Sequence, residues 1–277
     1  MTVRIEQLKP HIGAVIHANK GDLLDKSFAE QCLGLLDDRV VLVFPELGLT
    51  DEEQLAFTDM LGARVNFIKS EQSGTDPDIY QVTMDPEVNK NPEYVLGTFF
   101  WHMDGVTVDI PPPKASLLSA RCISDRGGDT EFANCFAAFE QLPDDEKAEL
   151  DNLHVLHSIY ASMRPMLEFD IRPQDWTGYN GSRVHPLVWT HSSGRRSLLI
   201  GSHADRIVEL PLPEGRALLA RLVEWTARPE FTYRHSWSVG DFVIWNNCGG
   251  IHRVVPYGRD SGRKMHRTSL AGTEMIA

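Results

Sequence analysis

The spacing of apolar residues changes period along this chain, and each change predicts an element. From Phe28 to Leu36 the pattern is that of a short amphipathic helix, and it runs into RVVLVF (Arg39 to Phe44), which reads as a buried strand. At Thr50 the run T-D-E-E supplies an N-cap and an acidic first turn before Leu55, Phe57 and Leu61, so a second helix is predicted to start there. KASLLSARCI (Lys114 to Ile123) reads as a strand, and two helices near 134–141 and 144–153 are separated by Pro143. Leu218, Leu222 and Trp225 share one helical face, which predicts a packed helix from Glu214 to Ala227.

The C-terminal part switches period. In FTYRHSWS, Phe231, Tyr233, His235 and Trp237 alternate with Thr232, Arg234, Ser236 and Ser238, the two-residue period of a half-buried strand. Val239-Gly240-Asp241 reads as a turn, FVIWNN as a buried strand, and RKMHRTSLAG (Arg263 to Gly272) as another. Strands joined by turns and long loops, with a few covering helices, predict an α+β protein. Its core would be an antiparallel sandwich or barrel of the jelly-roll kind, the cupin-like double-stranded β-helix. No repeat or linker divides the sequence, so residues 1–277 read as a single domain. Such a barrel has a mouth, and the weakly periodic stretches 64–97 and 158–183 are predicted to be loops over it.

Composition narrows the partners. A formal charge of −12 argues against a nucleic-acid surface, because phosphate binding needs a basic face. No stretch approaches the roughly 18 apolar residues of a membrane span, and MTVRIEQLKPHIGAVIHANK lacks the apolar core of a signal peptide. A cytoplasmic protein acting on a small molecule is the expectation. Cys32, Cys122, Cys135 and Cys248 include no CxxC pair and are expected to be reduced.

Candidate chemistry begins in TFFWHMDG. Residues i and i+2 of a strand share a face, so His102 and Asp104 can grip one ion if the segment is extended. His203-Ala204-Asp205 repeats the pattern, and neither copy is decisive alone. A facial triad needs a second histidine, and His252 follows a buried strand and the Gly249-Gly250 pair, which allows close backbone approach. Such a triad suits non-haem Fe(II), and zinc with a bound water can use the same ligands. Arg263 and Arg267 then lie on one strand face, where a buried guanidinium needs an anion; a diacid cosubstrate would supply one. Thr130, in GGDT, adds a candidate hydroxyl for the same carboxylate.

The order RVVLVFPELGLTDEEQLAF, WHMDG, GGDTEFAN, PLVWTHSSGRRSLLIGSHA, VGDFVIWNNCGGIHR, RKMHRTSLAG resembles the TauD/TfdA family of Fe(II)- and 2-oxoglutarate-dependent dioxygenases. The resemblance implies that His102, Asp104 and His252 ligate iron. It also implies that Thr130 and Arg263 hold the distal carboxylate of 2-oxoglutarate and that Arg267 lies near the acidic group of the substrate. Oxygen would be consumed with release of succinate and carbon dioxide. The presence of Asp104 implies hydroxylation or desaturation rather than halogenation. His203 and Asp205 fall in a segment that the family keeps away from the metal. The resemblance also implies a homodimer or homotetramer.

Two departures stand out. The family often reads Trp-Asp-Asn-Arg where this chain has Trp245-Asn246-Asn247-Cys248, losing a carboxylate and a guanidinium together. An asparagine four residues before the first histidine is Thr98 here, at a position that touches substrate in some relatives. Lys69 and Phe100 are further candidates for substrate contact, against the plainer readings of a solvated lysine and a core aromatic. His235 and Trp237 read as core, and His154, His157 and His185 as satisfied polar or surface groups. Apolar residues in 158–183 suggest a substrate larger or greasier than taurine. A Zn(II) hydrolase and a non-catalytic jelly-roll binding protein are the alternatives.

Overall fold

The computed structural model describes residues 3–66, 76–89, 93–108, 110–164 and 181–277. In chain order its strands are β1 (Arg4–Gln7), β2 (Ala14–His17), β3 (Val41–Phe44), β4 (Tyr80–Val82), β5 (Ala115–Cys122), β6 (Thr130–Asn134), β7 (His154–Ser158), β8 (Ser182–Pro186), β9 (Val188–Thr190), β10 (Arg196–Leu198), β11 (Ala204–Ile207), β12 (Thr232–His235), β13 (Phe242–Asn246), β14 (Gly250–Val254) and β15 (Lys264–Leu270). Its helices are α1 (Lys26–Arg39), α2 (Asp51–Leu61), α3 (Glu93–Gly97), α4 (Cys135–Glu140), α5 (Asp144–Leu150), α6 (Ile159–Met163) and α7 (Leu212–Thr226). The protein is thus a mixture of helices and mainly antiparallel sheets.

The helices start where side chains can satisfy free amides. Asp25 caps α1 by accepting from the Ser27 and Phe28 N–H groups, and Thr50 with Glu53 forms a reciprocal capping box on α2. The chain then leaves α1 through Val40, whose φ of 66° places a β-branched residue in the left-handed region before β3 begins.

A seven-stranded sheet runs β1-β2-β3-β13-β5-β15-β4, parallel only between β2 and β3. Alternation along β3 divides its two faces. Leu42 and Phe44 pack with Phe28, Leu36, Phe57 and Leu61 under α1 and α2, whereas Val41 and Val43 join Leu118, Val243, Trp245 and Met265 on the opposite side. That second face meets Phe132 and Val254 of the smaller sheet β12-β6-β14. A third apolar cluster around Trp189 lies under α4 and α7.

Two stretches expected to be loops carry short elements. Within 64–97 the chain forms β4, which hydrogen-bonds to β15 at the edge of the large sheet, and α3; within 158–183 it forms α6 and the start of β8. Three and five residues are too few for a period to show in sequence. The strand expected over 231–238 is β12 alone, because the chain leaves the ladder after His235 and turns through Asp241, whose carboxylate accepts from His235 Nε2 and the Ser238 N–H.

Candidate active site

Backbone geometry brings the distant ligand candidates together. His102 and His252 exchange two backbone hydrogen bonds, His102 N–H to His252 O at 3.0 Å and His252 N–H to His102 O at 2.9 Å. The Val254 N–H also donates to Thr98 O at 2.8 Å, so residues 98–102 form an added rung beside β14. On the other side β14 is zipped to β6. Its entry is tight: a Cβ on Gly249 would sit 1.7 Å from Phe136 Cε2, and the Gly249 carbonyl accepts from the Cys135 N–H. The Gly-Gly pair therefore allows the close approach expected of it.

One ligating atom from each of His102, Asp104 and His252 lies within 4.8 Å of the other two. His102 Nε2 is 4.0 Å from Asp104 Oδ1, and His252 Nε2 is 4.0 Å from Asp104 Oδ2. These separations are too long for hydrogen bonds and within the span of two metal–ligand bonds of roughly 2.1 Å each. His102 Nδ1 lies 2.8 Å from the Phe100 carbonyl, which can only accept; Nδ1 carries the proton and Nε2 offers its lone pair. Burial pushes both imidazoles toward neutrality. Burial alone would push the Asp104 carboxyl up, but Arg267, the two histidines and the Ser116 hydroxyl hold it down at about 2. Two neutral imidazoles and one carboxylate are the protonation states that a divalent cation requires.

The carboxylate is itself oriented. Ser116 Oγ donates to Asp104 Oδ2 at 2.8 Å, and Asn247 Nδ2 donates to Ser116 Oγ at 3.0 Å, directing the serine proton onto the carboxylate. Arg267 Nη1 lies 3.5 Å from the same oxygen, with its guanidinium over the Tyr80 ring. Neither Ser116 nor Asn247 was singled out by sequence. Ser116 sits in an apolar strand, and Asn247 entered only as the unchanged asparagine of the Trp245-Asn246-Asn247-Cys248 stretch.

Arg263 is buried, its Nη2 donates to the Gly128 carbonyl at 3.1 Å, its guanidinium lies 4.9 Å from the Tyr257 ring, and among the described residues Nη1 has no well-aligned acceptor. Gly128 adopts φ +83°, and a Cβ there would come within 3.1 Å of Arg263 Nε, so the loop before Thr130 needs glycine to meet the guanidinium. Thr130 Oγ1 accepts from Trp237 Nε1 at 2.9 Å. These groups suit an anion: one buried guanidinium with no carboxylate partner among the described residues, and a hydroxyl two residues from the carbonyl that guanidinium already holds.

Other candidates fall elsewhere. The Thr98 hydroxyl donates to the Val95 carbonyl at 2.6 Å. Phe100 is half-buried against the cluster that contains Phe99 and Trp237, and its carbonyl orients His102. Lys69 lies outside the described residues.

The second His-x-Asp pair corrects an expectation. Asp205 is paired with Arg164 and Arg216, but His203 is close to the metal corner, its Nε2 accepting from the Met103 N–H at 3.1 Å. That bond forces the His203 proton onto Nδ1, which faces His157 Nδ1 at 2.8 Å. His157 is not a surface group: it is completely buried, and among the described residues its Nε2 has no hydrogen-bond partner. The Trp-Asn-Asn-Cys departure is also self-consistent. Asn246 Oδ1 accepts from the Cys248 N–H and its Nδ2 donates to Asp37, which pairs with Lys114, while Cys248 packs among apolar side chains. All four cysteines are free.

Among the described residues no helix is long and apolar enough to cross a membrane. The profile of the family described as "Taurine catabolism dioxygenase TauD, TfdA family" matches residues 4–269. The chain is 33% identical to an alpha-ketoglutarate-dependent 2,4-dichlorophenoxyacetate dioxygenase of Burkholderia sp. (strain RASC), over 98% of this chain and 95% of that protein. It is 31% identical to the (S)-phenoxypropionate/alpha-ketoglutarate-dioxygenase of Sphingobium herbicidovorans, over 97% of this chain and 94% of that one. Its fold superposes on the crystal structure of AAD-2 in complex with Mn(II) and N-oxalylglycine with a TM-score of 0.81, 34% identity and full coverage of both chains. With the family profile spanning nearly its whole length, the chain belongs to the TauD, TfdA family of dioxygenases and is an oxidoreductase.

Proposed function

We propose that this protein is an Fe(II)- and 2-oxoglutarate-dependent oxygenase, built as one domain on a jelly-roll core, that hydroxylates an aryloxyalkanoate-like acid. The observation that carries the reading is the His102, Asp104, His252 cluster in ligand-ready protonation states, with the Arg263 guanidinium buried between the Gly128 carbonyl and Tyr257. Bound there, the metal with 2-oxoglutarate and oxygen would supply the oxidising power, with succinate and carbon dioxide as coproducts. Arg263 and Thr130 hold the distal carboxylate of the cosubstrate. Ser116 and Asn247 keep the Asp104 oxygens aimed, and the apolar cluster around Phe132 and Trp245 keeps water from the inner side of His252.

Arg267 is the candidate for the acidic group of the substrate, being buried beside Asp104 on β15, which begins one residue after Arg263 rather than including it as expected. Two relatives named for phenoxy acids support that class over a small sulfonate. Hydroxylation of a carbon bearing an ether oxygen gives a hemiacetal, which falls apart to a carbonyl compound and a phenol. The relatives do not favour the zinc hydrolase or the non-catalytic binding protein. A cytoplasmic homodimer or homotetramer remains part of the proposal.

Anaerobic addition of Fe(II) and 2-oxoglutarate to the metal-free protein is expected to produce the weak visible charge-transfer band of a chelated 2-oxo acid, lost in Asp104→Ala and weakened in Arg263→Ala. Oxygen should then release succinate in step with loss of a phenoxy acid. A folded protein with no band refutes the cofactor assignment; a band with turnover confined to small sulfonates refutes the substrate class alone.

A further inference from the structure

The Thr130 hydroxyl is engaged on one side only. Trp237 Nε1 donates to it at 2.9 Å, both side chains are buried, and among the described residues the threonine proton has no acceptor. An indole N–H can only donate, so Thr130 must accept there and its own proton must point away from the indole. Strand register places Thr130 between His235 of β12 and Val254 of β14, and the Gly128 carbonyl two residues earlier receives Arg263 Nη2.

The indole is held in turn. The His235 ring packs edge-on against Trp237, centroids 4.5 Å apart at 85°, and is clamped by Asp241 Oδ2 at 3.0 Å and Tyr233 Oη at 3.1 Å. Trp237 therefore meets Thr130 from a braced position. Without that donor the hydroxyl would be a free rotor, and ordering it would oppose binding of any anion it had to reach.

We propose that Trp237 is a positioning residue for the cosubstrate: its N–H turns the Thr130 hydroxyl proton outward, onto a carboxylate held by Arg263. The proposal rests on the reading of this site as a 2-oxoglutarate site. It assigns the indole a role that filling the core does not explain.

Calorimetric titration of Mn(II)-loaded protein with 2-oxoglutarate tests it in a double-mutant cycle. Trp237→Phe should weaken binding roughly three- to tenfold and Thr130→Val by at least as much, each having removed one polar partner. The double variant should bind no more weakly than Thr130→Val, because the indole acts only through the hydroxyl. Multiplicative losses, or unchanged binding in Trp237→Phe, would overturn the proposal while leaving the 2-oxoglutarate site standing. A flat titration of the wild type would remove both. A second readout needs neither metal nor turnover nor the Trp237 variant. In the 1H–15N spectrum of the metal-free protein, the Trp237 indole signal, assigned through its contacts with the His235 ring, should move in Thr130→Val and stay in place in Thr130→Ser. An indole signal indifferent to Thr130→Val overturns the proposal.

Discussion

Ser116→Ala isolates the support beneath the metal carboxylate. The substitution removes one oxygen and leaves the strand intact, so its cost comes from two hydrogen bonds. Asp104 Oδ2 loses a 2.8 Å donor, and a buried bond of this charge-assisted kind contributes about 1.5–3 kcal/mol. Asn247 Nδ2 loses its acceptor at 3.0 Å in a fully buried residue whose Oδ1 has no hydrogen-bond partner among the described residues. Together the two losses come to about 2–4 kcal/mol, which lowers the melting temperature of the metal-free protein by about 3–7 °C. Removing the partner that orients a ligand should also weaken Mn(II) or Fe(II) binding by roughly 10- to 100-fold. Asn247→Ala leaves the serine in place and should cost less on both counts. Differential scanning calorimetry and metal titration give the two readouts. If Ser116→Ala kept its melting temperature and bound metal within about twofold of wild type, the assignment of Ser116 as the orienting donor would be wrong.

Three further outcomes follow from the same structure. Gly249→Ala should be poorly folded, because its Cβ would fall 1.7 Å from Phe136, and adding Phe136→Ala should restore part of the loss in a denaturant melt; additive losses would contradict the clash. Burial pushes the Asp241 carboxyl up, but hydrogen bonds from His235 and from the Ser238 and Glu46 amides hold it below its ordinary value of 3.8. The folded state then binds fewer protons than the unfolded one, so the stabilisation is full above that value and is lost as pH falls from it through the lower value of the folded state. The stability gap between wild type and Asp241→Asn should narrow below about pH 4 in urea melts, and a gap independent of pH would refute the linkage. Burial pushes the Cys32, Cys135 and Cys248 thiols up to about 12, whereas Cys122 is exposed. Iodoacetamide on the native protein at about pH 8 should label Cys122 alone by peptide mass spectrometry.

What could be read from the sequence follows from how local each feature is. The start of α2 was legible because a capping box is written in four consecutive residues, and the Gly249-Gly250 approach because only glycine fits there. His102 and Asp104 could be paired because i and i+2 share a face. Sheet order could not be read. β13 is buried along its whole length between β3 and β5, and a strand apolar on both faces says nothing about its neighbours. His203 could not be distinguished from a bystander, since its role depends on an amide one hundred residues earlier in the chain. Trp237 was read as core, which it is, and its N–H bond to Thr130 depends on the register of β12 against β6.

The paired backbone bonds between His102 and His252 carry a consequence for biogenesis. The two histidines sit on opposite sides of a 149-residue loop, and closing such a loop is an event of high contact order that must await most of the sheet. An emerging chain that has exposed only its first half holds His102 and Asp104, a pair too poor in donors to retain a divalent ion. An ion held by all three side chains would need β14 zipped to β6, and it would act as a clasp across this long-range contact. Nascent or misassembled copies would then lack the third ligand, and oxygen chemistry at the proposed centre would be confined to molecules that have finished folding.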